Sequence, residues 1–254
     1  MIHAKADVIN IGVKNVKTLL AGKAFSQKIY EKVVAPKKLS VYLQYVNSAS
    51  DFSRFKGIGF VFKIYGPAHN KKGAKVENQI FITANAVQDL VAYYMNAKCD
   101  MLPRFHISRV LNSLIPDIST PETFAEYERR KIAFNDMFIN STEPISLMSH
   151  VELIEDEEIE SNESYDHFTL SYQPMHKVGS GVEEAAKPWI ISLNQFKGTT
   201  IGEIDGELVN LGNAVTSTTI KLSTSEFYQL MDSITSTIKD WQNNTFNLRR
   251  QSIR

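Results

Sequence analysis

The sequence predicts an α+β protein built from two antiparallel sheet-then-helix units, with a helical segment inserted between them. Two observations indicate this class. First, a stretch near the C-terminus changes from the two-residue period of a strand to the period of a helix. Second, a shorter copy of this stretch lies in the first half of the chain, and sheet-like alternation precedes both copies. We therefore expect two β-rich halves, each closed by one helix.

The C-terminal copy spans residues 218–241. Ile220 and Leu222 alternate with Lys221, as in a strand with one buried face. Ser223 precedes Glu226 by three residues, which is the spacing of a helix capping box. The apolar residues that follow at helical spacing are Phe227, Leu230, Met231, Ile234 and Ile238.

The upstream copy spans residues 78–91, and its helix is expected to run to about Ala97. Thr83 and Asn85 stand where Ser223 and Ser225 stand in the later copy, as local cap formers. The apolar positions that match those of the later copy are Ile80, Ile82, Val87, Leu90 and Val91.

The remaining elements of the first half follow from alternation. Residues 13–20 suggest a short helix. Residues 24–34 are compatible with strand or helix, and part of them is read as a strand that ends at Pro36. Residues 39–46 and 57–65 alternate clearly and are predicted strands. Residues 100–140 have helical periodicity, and Pro121 suits the first turn of a second helix there.

In the second half we expect strands at 168–172 and 189–194 and a hairpin around Asp205 and Gly206. Residues 179–181 are read as a flexible stretch, and 248–254 as a basic tail. The predicted divisions are 1–99 for the first sheet-helix repeat, 100–150 for the helical insertion, 151–166 for an acidic linker, and 167–254 for the second repeat with its tail.

The formal net charge is zero, but the charges are segregated along the chain. Residues 1–75 hold thirteen Lys and one Arg against three acids, whereas residues 152–166 hold eight acids and no Lys or Arg. The basic part is suited to a polyanion, and the acidic run is suited to solvent. Lysines that only solubilise a β-rich surface are the alternative interpretation.

Motifs for catalysis are absent from the sequence. It has no Walker loop, no Gly-x-Ser-x-Gly elbow and no dinucleotide fingerprint, and its six histidines lack zinc-site spacing. We therefore expect no enzyme activity, no metal and no cofactor. The single Cys99 excludes an internal disulfide and favours an intracellular location, and the lack of a signal peptide or membrane span predicts no membrane partner.

Strand alternation predicts two different faces for the first sheet. One is apolar and packs beneath the helices, through Val41, Leu43, Ile58, Phe60, Phe62, Ile64, Ile80 and Ile82. The other carries Tyr42, Gln44, Lys63, Tyr65 and Phe81. Aromatic rings among lysines suit single-stranded nucleic acid, because bases stack on rings while ammonium groups follow the phosphates. Packing of this face against a partner subunit or the inserted helices is the alternative.

Residues 219–231 resemble the strand and helix of the Whirly and PUR superfamily of single-stranded nucleic-acid-binding proteins, in which a short strand meets a Thr/Ser turn, an acid and an aromatic residue. Residues 79–90 resemble the first-repeat equivalent, and the domain plan resembles the Whirly-type RNA-binding proteins of nucleus-forming jumbo phages. Gly22-Lys23-Ala24 is similar to the Lys-Gly-Lys-Ala turn that opens the Whirly sheet, although Ala21 replaces its first Lys. The resemblance implies two packed sheets, helices that hold the halves together, homo-oligomers, and nucleic acid bound along sheet edges.

These observations predict a non-catalytic binder of single-stranded RNA or DNA, with RNA favoured, low sequence specificity and a homo-oligomeric state. For a phage protein, the location would be the host cytoplasm or the phage nucleus. The alternative is a structural or assembly protein whose basic face binds an acidic protein partner or mediates self-association. The predicted contact residues are Lys23, Lys37, Lys38, Tyr42, Arg54, Lys56, Lys63, Tyr65, Lys71 and Lys72.

Overall fold

A computed structural model describes residues 25–46, 57–66, 75–153, 164–197, 201–204, 207–210 and 214–252. The predicted contacts Lys23, Arg54, Lys56, Lys71 and Lys72 lie outside these residues. The same holds for the predicted helix at 13–20 and for most of the acidic run. The fold is mixed α+β with antiparallel sheets, as the sequence predicted.

The first sheet is a four-stranded antiparallel meander whose strands are neighbours in the order in which they occur along the chain. Helix α1, Ala84–Lys98, follows its last strand directly. The strands are β1 (Phe25–Val34), β2 (Lys37–Val46), β3 (Gly57–Tyr65) and β4 (Val76–Thr83).

Two helices and a second four-stranded sheet follow. The helices are α2 (Leu102–Leu114) and α3 (Pro121–Asn140), and Pro121 occupies the first turn of α3 as predicted. The second sheet has the strand order β12-β9-β6-β5 and leads into the long helix α4, Thr224–Ser252. Its strands are β5 (Ile145–Leu153), β6 (Ser164–Tyr172), β9 (Trp189–Lys197) and β12 (Ala214–Leu222).

Two short hairpins lie within the connections of the second sheet. Strands β7 (Met175–Val178) and β8 (Gly181–Glu184) form one hairpin between β6 and β9. Strands β10 (Ile201–Ile204) and β11 (Glu207–Asn210) form the other, where the Asp-Gly signal predicted it.

The core lies between the two sheets, because each sheet turns its apolar alternate residues toward the other. On the first sheet, Val41, Phe62 and Ile80 form one such cross-strand row. The Phe62 ring packs against the Phe168 ring of the second sheet with 5.1 Å between centroids. All members of the predicted apolar face whose side chains the structure describes belong to this core.

The helices join the two halves of the chain. Phe227 of α4 stacks on Trp189 of the second sheet at 3.9 Å between centroids, and Tyr94 of α1 approaches Phe227 edge-on. The Tyr94 hydroxyl donates to the Asp232 carboxylate of α4, and Lys98 Nζ lies 3.3 Å from the same carboxylate. Each closing helix is therefore held by the other as well as by its own sheet.

The predicted capping box of α4 is present. The Ser223 amide donates to Glu226 Oε2 at 2.9 Å, and the Glu226 amide donates to Ser223 Oγ at 3.2 Å. Thr83 occupies the corresponding N-cap position of α1, but its side chain makes no capping hydrogen bond. The two copies therefore share their strand-to-helix transition but not their capping chemistry.

Several elements differ from the sequence predictions. Strand β5 was not predicted, and it spans the end of the range assigned to the insertion and the start of the range assigned to the linker. The stretch at 179–181, expected to be flexible, is the turn of the β7–β8 hairpin, where Gly179 has a φ of 59°. Most of the predicted tail belongs to α4. None of the described helices combines the length and apolar character needed to cross a bilayer.

Candidate nucleic-acid interface

The outer face of the first sheet, which points away from the core, brings together four of the predicted contact residues, Lys38, Tyr42, Lys63 and Tyr65. The register aligns them in cross-strand rows. The middle row contains Glu31, Ser40, Lys63 and Gln79. The rows beside it contain Lys28, Tyr42, Val61 and Phe81 on one side, and Lys38 with Tyr65 on the other. We call Lys28, Glu31, Lys38, Ser40, Tyr42, Lys63 and Tyr65 the basic-aromatic cluster.

Two lysines of this cluster are placed against tyrosine rings. Lys38 Nζ lies 4.4 Å from the centroid of the Tyr65 ring, and Lys63 Nζ lies 5.0 Å from that of Tyr42. An ammonium group at this distance is attracted by the negative face of the ring. The pairs therefore hold positive charge close above two aromatic surfaces.

Glu31 is the acid of the cluster. Its carboxylate accepts hydrogen bonds from Lys28 Nζ at 2.9 Å and Ser40 Oγ at 3.1 Å, and Lys38 Nζ lies 3.4 Å away. The hydrogen bond from Lys28 lowers the pKa of Glu31, and Ser40 and the charge of Lys38 act in the same direction. The cluster therefore contains three ammonium groups, of Lys28, Lys38 and Lys63, and one carboxylate.

The two tyrosines are also linked to each other. Burial raises the pKa of Tyr65 to about 12, and its hydrogen bond to Tyr42 and the nearby charge of Glu31 add to the increase. The Tyr65 phenol is therefore neutral at physiological pH. Both rings are only half-buried, so part of each remains accessible from solvent.

Lys37 is placed away from this cluster, although it was predicted to act with Lys38. Its Nζ donates to the Thr219 carbonyl oxygen of β12 at 3.3 Å and lies 3.4 Å from Glu77 Oε2. Adjacent residues of a strand point to opposite faces. Lys37 therefore connects the ends of the two sheets, whereas Lys38 lies on the outer face.

Beside the cluster, the outer face becomes apolar. Val61 and Phe81 are 7% and 6% exposed, yet they do not belong to the core cluster between the sheets. Gly59 allows the close approach of Phe81, because a Cβ at Gly59 would meet the ring atom Cε2 at 2.8 Å. The basic-aromatic cluster is therefore bordered on this side by two buried apolar residues, Val61 and Phe81.

The outer face of the second sheet has different chemistry. One row contains Thr169, Ser192 and Thr219, and the next contains His167, Asn194 and Ser217. Their side chains bond to one another, for example Ser217 Oγ to Asn194 Oδ1 at 2.7 Å and Ser149 Oγ to His167 Nε2 at 2.7 Å. Burial lowers the pKa of His167, and these two rows carry hydroxyl, amide and imidazole groups rather than ammonium groups.

Lys28, Glu31 and Ser40 belong to the cluster but were not among the predicted contact residues. Lys28 and Glu31 depend on a register shift in β1 between Lys28 and Tyr30, which turns both to the same face. The strong alternation of β2 would have placed Ser40 beside Tyr42. It gave no indication that a carboxylate would lie above Ser40.

Among the side chains that the structure describes, no three His, Cys, Asp or Glu residues are grouped as a metal site requires. The cluster combines three ammonium groups and one carboxylate with the aromatic surface of two tyrosines. A scan of protein-family models and a search of curated proteins found no match to this chain.

Proposed function

We propose that the chain is a non-catalytic binder of single-stranded nucleic acid and that the basic-aromatic cluster is part of its contact surface. The observation that carries this proposal is the pairing of Lys38 with Tyr65 and of Lys63 with Tyr42, side by side on one sheet face. The described hydroxyl-rich rows of the second sheet, which contain Thr169, Ser192, Thr219, His167, Asn194 and Ser217, lack this combination and are not the proposed surface.

Binding would combine two contributions. The ammonium groups would move from the ring faces toward phosphates, and the exposed ring surface would receive bases. Base stacking on an aromatic side chain contributes about 1–3 kcal/mol per base and tolerates every base. Phosphate contacts add affinity that falls with salt. Low sequence specificity follows from both contributions.

The plan of the two halves supports a Whirly/PUR-like assignment. Each half contains a four-stranded antiparallel meander followed directly by a helix, and the two helices contact each other. The preference for RNA over DNA follows from the sequence resemblance. The predicted contacts that lie outside the described residues, Lys23, Arg54, Lys56, Lys71 and Lys72, remain part of the proposed set.

The decisive experiment is fluorescence anisotropy with labelled strands of about 12 nucleotides, within the site sizes of single-strand binders. Single-stranded RNA, single-stranded DNA and duplex DNA are titrated at low and near-physiological salt. We expect micromolar or tighter binding to single strands, tightest for RNA, weaker for duplex and decreasing with salt. Absence of binding to all three at low salt would overturn the proposal.

A second candidate function is a role in assembly, and the surface of α3 favours it. Phe124, Ile132 and Met137 are 53%, 67% and 67% exposed on this helix. An open apolar groove of about 210 Å³ lies beside it, between α2, α3 and the start of β5. Exposed apolar surface next to a groove is typical of protein interfaces. Sedimentation velocity of wild type and Ile132→Asp tests it. If the wild type is an oligomer, the substitution should convert it to monomers. If the wild type is a monomer, the substitution should leave it unchanged.

A further inference from the structure

Three hydrogen-bond donors converge on a single oxygen atom in the basic-aromatic cluster. Glu31 Oε2 lies 2.9 Å from Lys28 Nζ, 3.1 Å from Ser40 Oγ and 3.4 Å from Lys38 Nζ. The donors come from two neighbouring strands, and the sheet register fixes their spacing. The arrangement is therefore an anion site formed by the sheet surface, with a carboxylate of the same chain in it.

The donor set matches a phosphodiester group. A non-bridging phosphate oxygen, like a carboxylate oxygen, accepts several hydrogen bonds from ammonium and hydroxyl donors and carries comparable negative charge. Ser40 is completely buried while the Glu31 carboxylate lies against its hydroxyl group. Rotation of the Glu31 side chain would remove the one oxygen atom that all three donors share.

The carboxylate is held weakly enough to be exchanged. The Glu31 side chain is 38% exposed, and those of Lys28 and Lys38 are 47% and 29% exposed. Ion pairs at such surfaces contribute little to stability, because solvent screens them and long side chains lose freedom on pairing. An external anion can therefore replace Glu31 without disturbing the core, which lies on the other face of the sheet.

We propose that Lys28, Lys38 and Ser40 form a phosphate subsite for the nucleic-acid backbone and that Glu31 is its built-in competitor. This inference rests on the proposed function and extends it to the regulation of affinity. The bound strand displaces the Glu31 carboxylate toward solvent, and its phosphate takes the three donors. Glu31 thereby weakens the binding of every strand that uses this subsite, and stacking on Tyr42 and Tyr65 offsets part of that loss.

The test compares Glu31→Gln with Glu77→Gln. Both variants remove one negative charge, but Glu77 pairs with Lys37 at the end of the sheet and lies outside the subsite. A labelled uridine RNA of about 12 nucleotides is titrated into each full-length variant at low salt. Glu31→Gln should bind about threefold to tenfold more tightly than wild type. Glu77→Gln should stay within about twofold of wild type, because screened charge at a distance has little effect.

A third variant identifies the donors. When Lys28 and Lys38 are both changed to alanine, Glu31→Gln should no longer increase affinity, because the carboxylate has no ammonium partner left to compete for. Equal affinities of Glu31→Gln and Glu77→Gln, with wild type binding normally, would overturn the subsite and leave the proposed function standing. Binding by Glu31→Gln but not by wild type would support the subsite and overturn the proposed function. Absence of binding by both proteins would overturn both.

Discussion

Asn78 of β4 donates from Nδ2 to the carbonyl oxygen of Leu193 in β9 at 2.8 Å, and this buried hydrogen bond joins the two sheets directly. Its Oδ1 accepts from the Gln79 amide at 2.8 Å, so both ends of the carboxamide are used. Asn78 is 3% exposed within an otherwise apolar layer. A buried polar group with this geometry fixes the register of one sheet against the other.

We predict that Asn78→Ala lowers the free energy of unfolding by about 1–3 kcal/mol, because the Leu193 carbonyl group loses a buried partner. Urea denaturation measures the change. Gln88→Ala, at an exposed position of α1, serves as the control and should remain within about 0.5 kcal/mol of wild type. Similar losses in both variants would show that the hydrogen bond does not stabilise the contact between sheets.

The neighbouring lysines at the start of β2 provide a matched pair for the binding proposal. Lys38→Ala should weaken RNA binding and reduce the salt dependence of log Kd by about 0.7, the value for one lost phosphate contact on a single strand. Lys37→Ala removes the same charge, but its ammonium group is held by Thr219 and Glu77. Its salt dependence should equal that of wild type.

Anisotropy titrations over a range of salt concentrations measure both variants. Equal reductions in the salt dependence would mean that only the total charge of the region matters. The placement of Lys38 on the outer face would then have no part in binding.

The contribution of stacking is tested at Tyr42. Tyr42→Leu should weaken binding by about 1–3 kcal/mol, because the aromatic surface is lost, whereas Tyr42→Phe should keep most of the affinity. An abasic strand of equal length is the control ligand, since it retains phosphates without bases. Anisotropy with that ligand should give the same affinity for wild type and Tyr42→Leu. A loss on the abasic strand would indicate that Tyr42 acts by positioning Lys63.

Sequence patterns predicted the parts of the fold that depend on neighbouring residues. The strands β2 and β3 follow from alternation, and the α4 cap follows from Ser223 and Glu226, which bond to each other three residues apart. Strand β5 has a register shift between Ser146 and Met148 and borders the acidic run, so its apolar and polar residues do not alternate regularly. Its place in the sheet depends on pairing with β6, which no local pattern reveals.

The site was predicted only in part for the same reason. Tyr42, Lys63 and Tyr65 follow from alternation, whereas the convergence of Lys28 and Ser40 on Glu31 needs both the strand register and a bulge in β1. Lys37 and Lys38 were grouped because the strand was expected to begin at residue 39. The strand begins at Lys37, and alternation therefore separates the two side chains.

In the helical insertion, an apolar residue type alone does not predict burial. Tyr127, Phe134 and Phe138 recur on one side of α3 and pack against the core, with Phe138 fully buried. Phe124 and Ile132 are also apolar residues of this helix, but they do not belong to that core. Ile132 lies on the other side of the helix from that stripe, whereas Phe124 is on the same side as Tyr127 but in the first turn of α3, and both are exposed.

A buried histidine predicts acid sensitivity. His106 Nδ1 lies 3.2 Å from the Tyr93 hydroxyl group, and burial lowers the pKa of His106, with the positive charge of Arg109 acting in the same direction. Arg109 itself is paired with Asp89 at 2.9 Å. The unfolded chain, with a histidine pKa of about 6.5, therefore takes up the proton first as pH falls.

The stabilisation by neutral His106 is complete above the histidine pKa of the unfolded chain. It is lost as pH falls from that pKa toward the lowered pKa of His106 in the folded protein. His106→Gln, which cannot titrate, should therefore show a smaller loss of stability between about pH 7.5 and 5.5 than wild type. Urea denaturation at both pH values measures the difference. His167 has a pKa shifted in the same direction, so a residual acid effect is expected. An unchanged pH dependence would show that His106 is protonated in the fold without penalty.

The close contact at Gly59 yields the last prediction. A Cβ there would lie 2.8 Å from Phe81 Cε2 and would also overlap the Ile82 carbonyl oxygen of the paired strand. The ring can move only out of its packed position, and the backbone oxygen is held in the sheet, so Gly59→Ala should destabilise the fold by about 1–3 kcal/mol. Gly181→Ala is the control, because its Cβ would meet only the Val178 carbonyl oxygen at an ordinary 3.6 Å. Thermal or urea unfolding compares the two, and equal stabilities would mean that β3 and β4 separate easily at this point.

Such separation would also move Phe81 at the border of the basic-aromatic cluster. RNA affinity measured on the same variant therefore reports whether Phe81 must stay packed for binding.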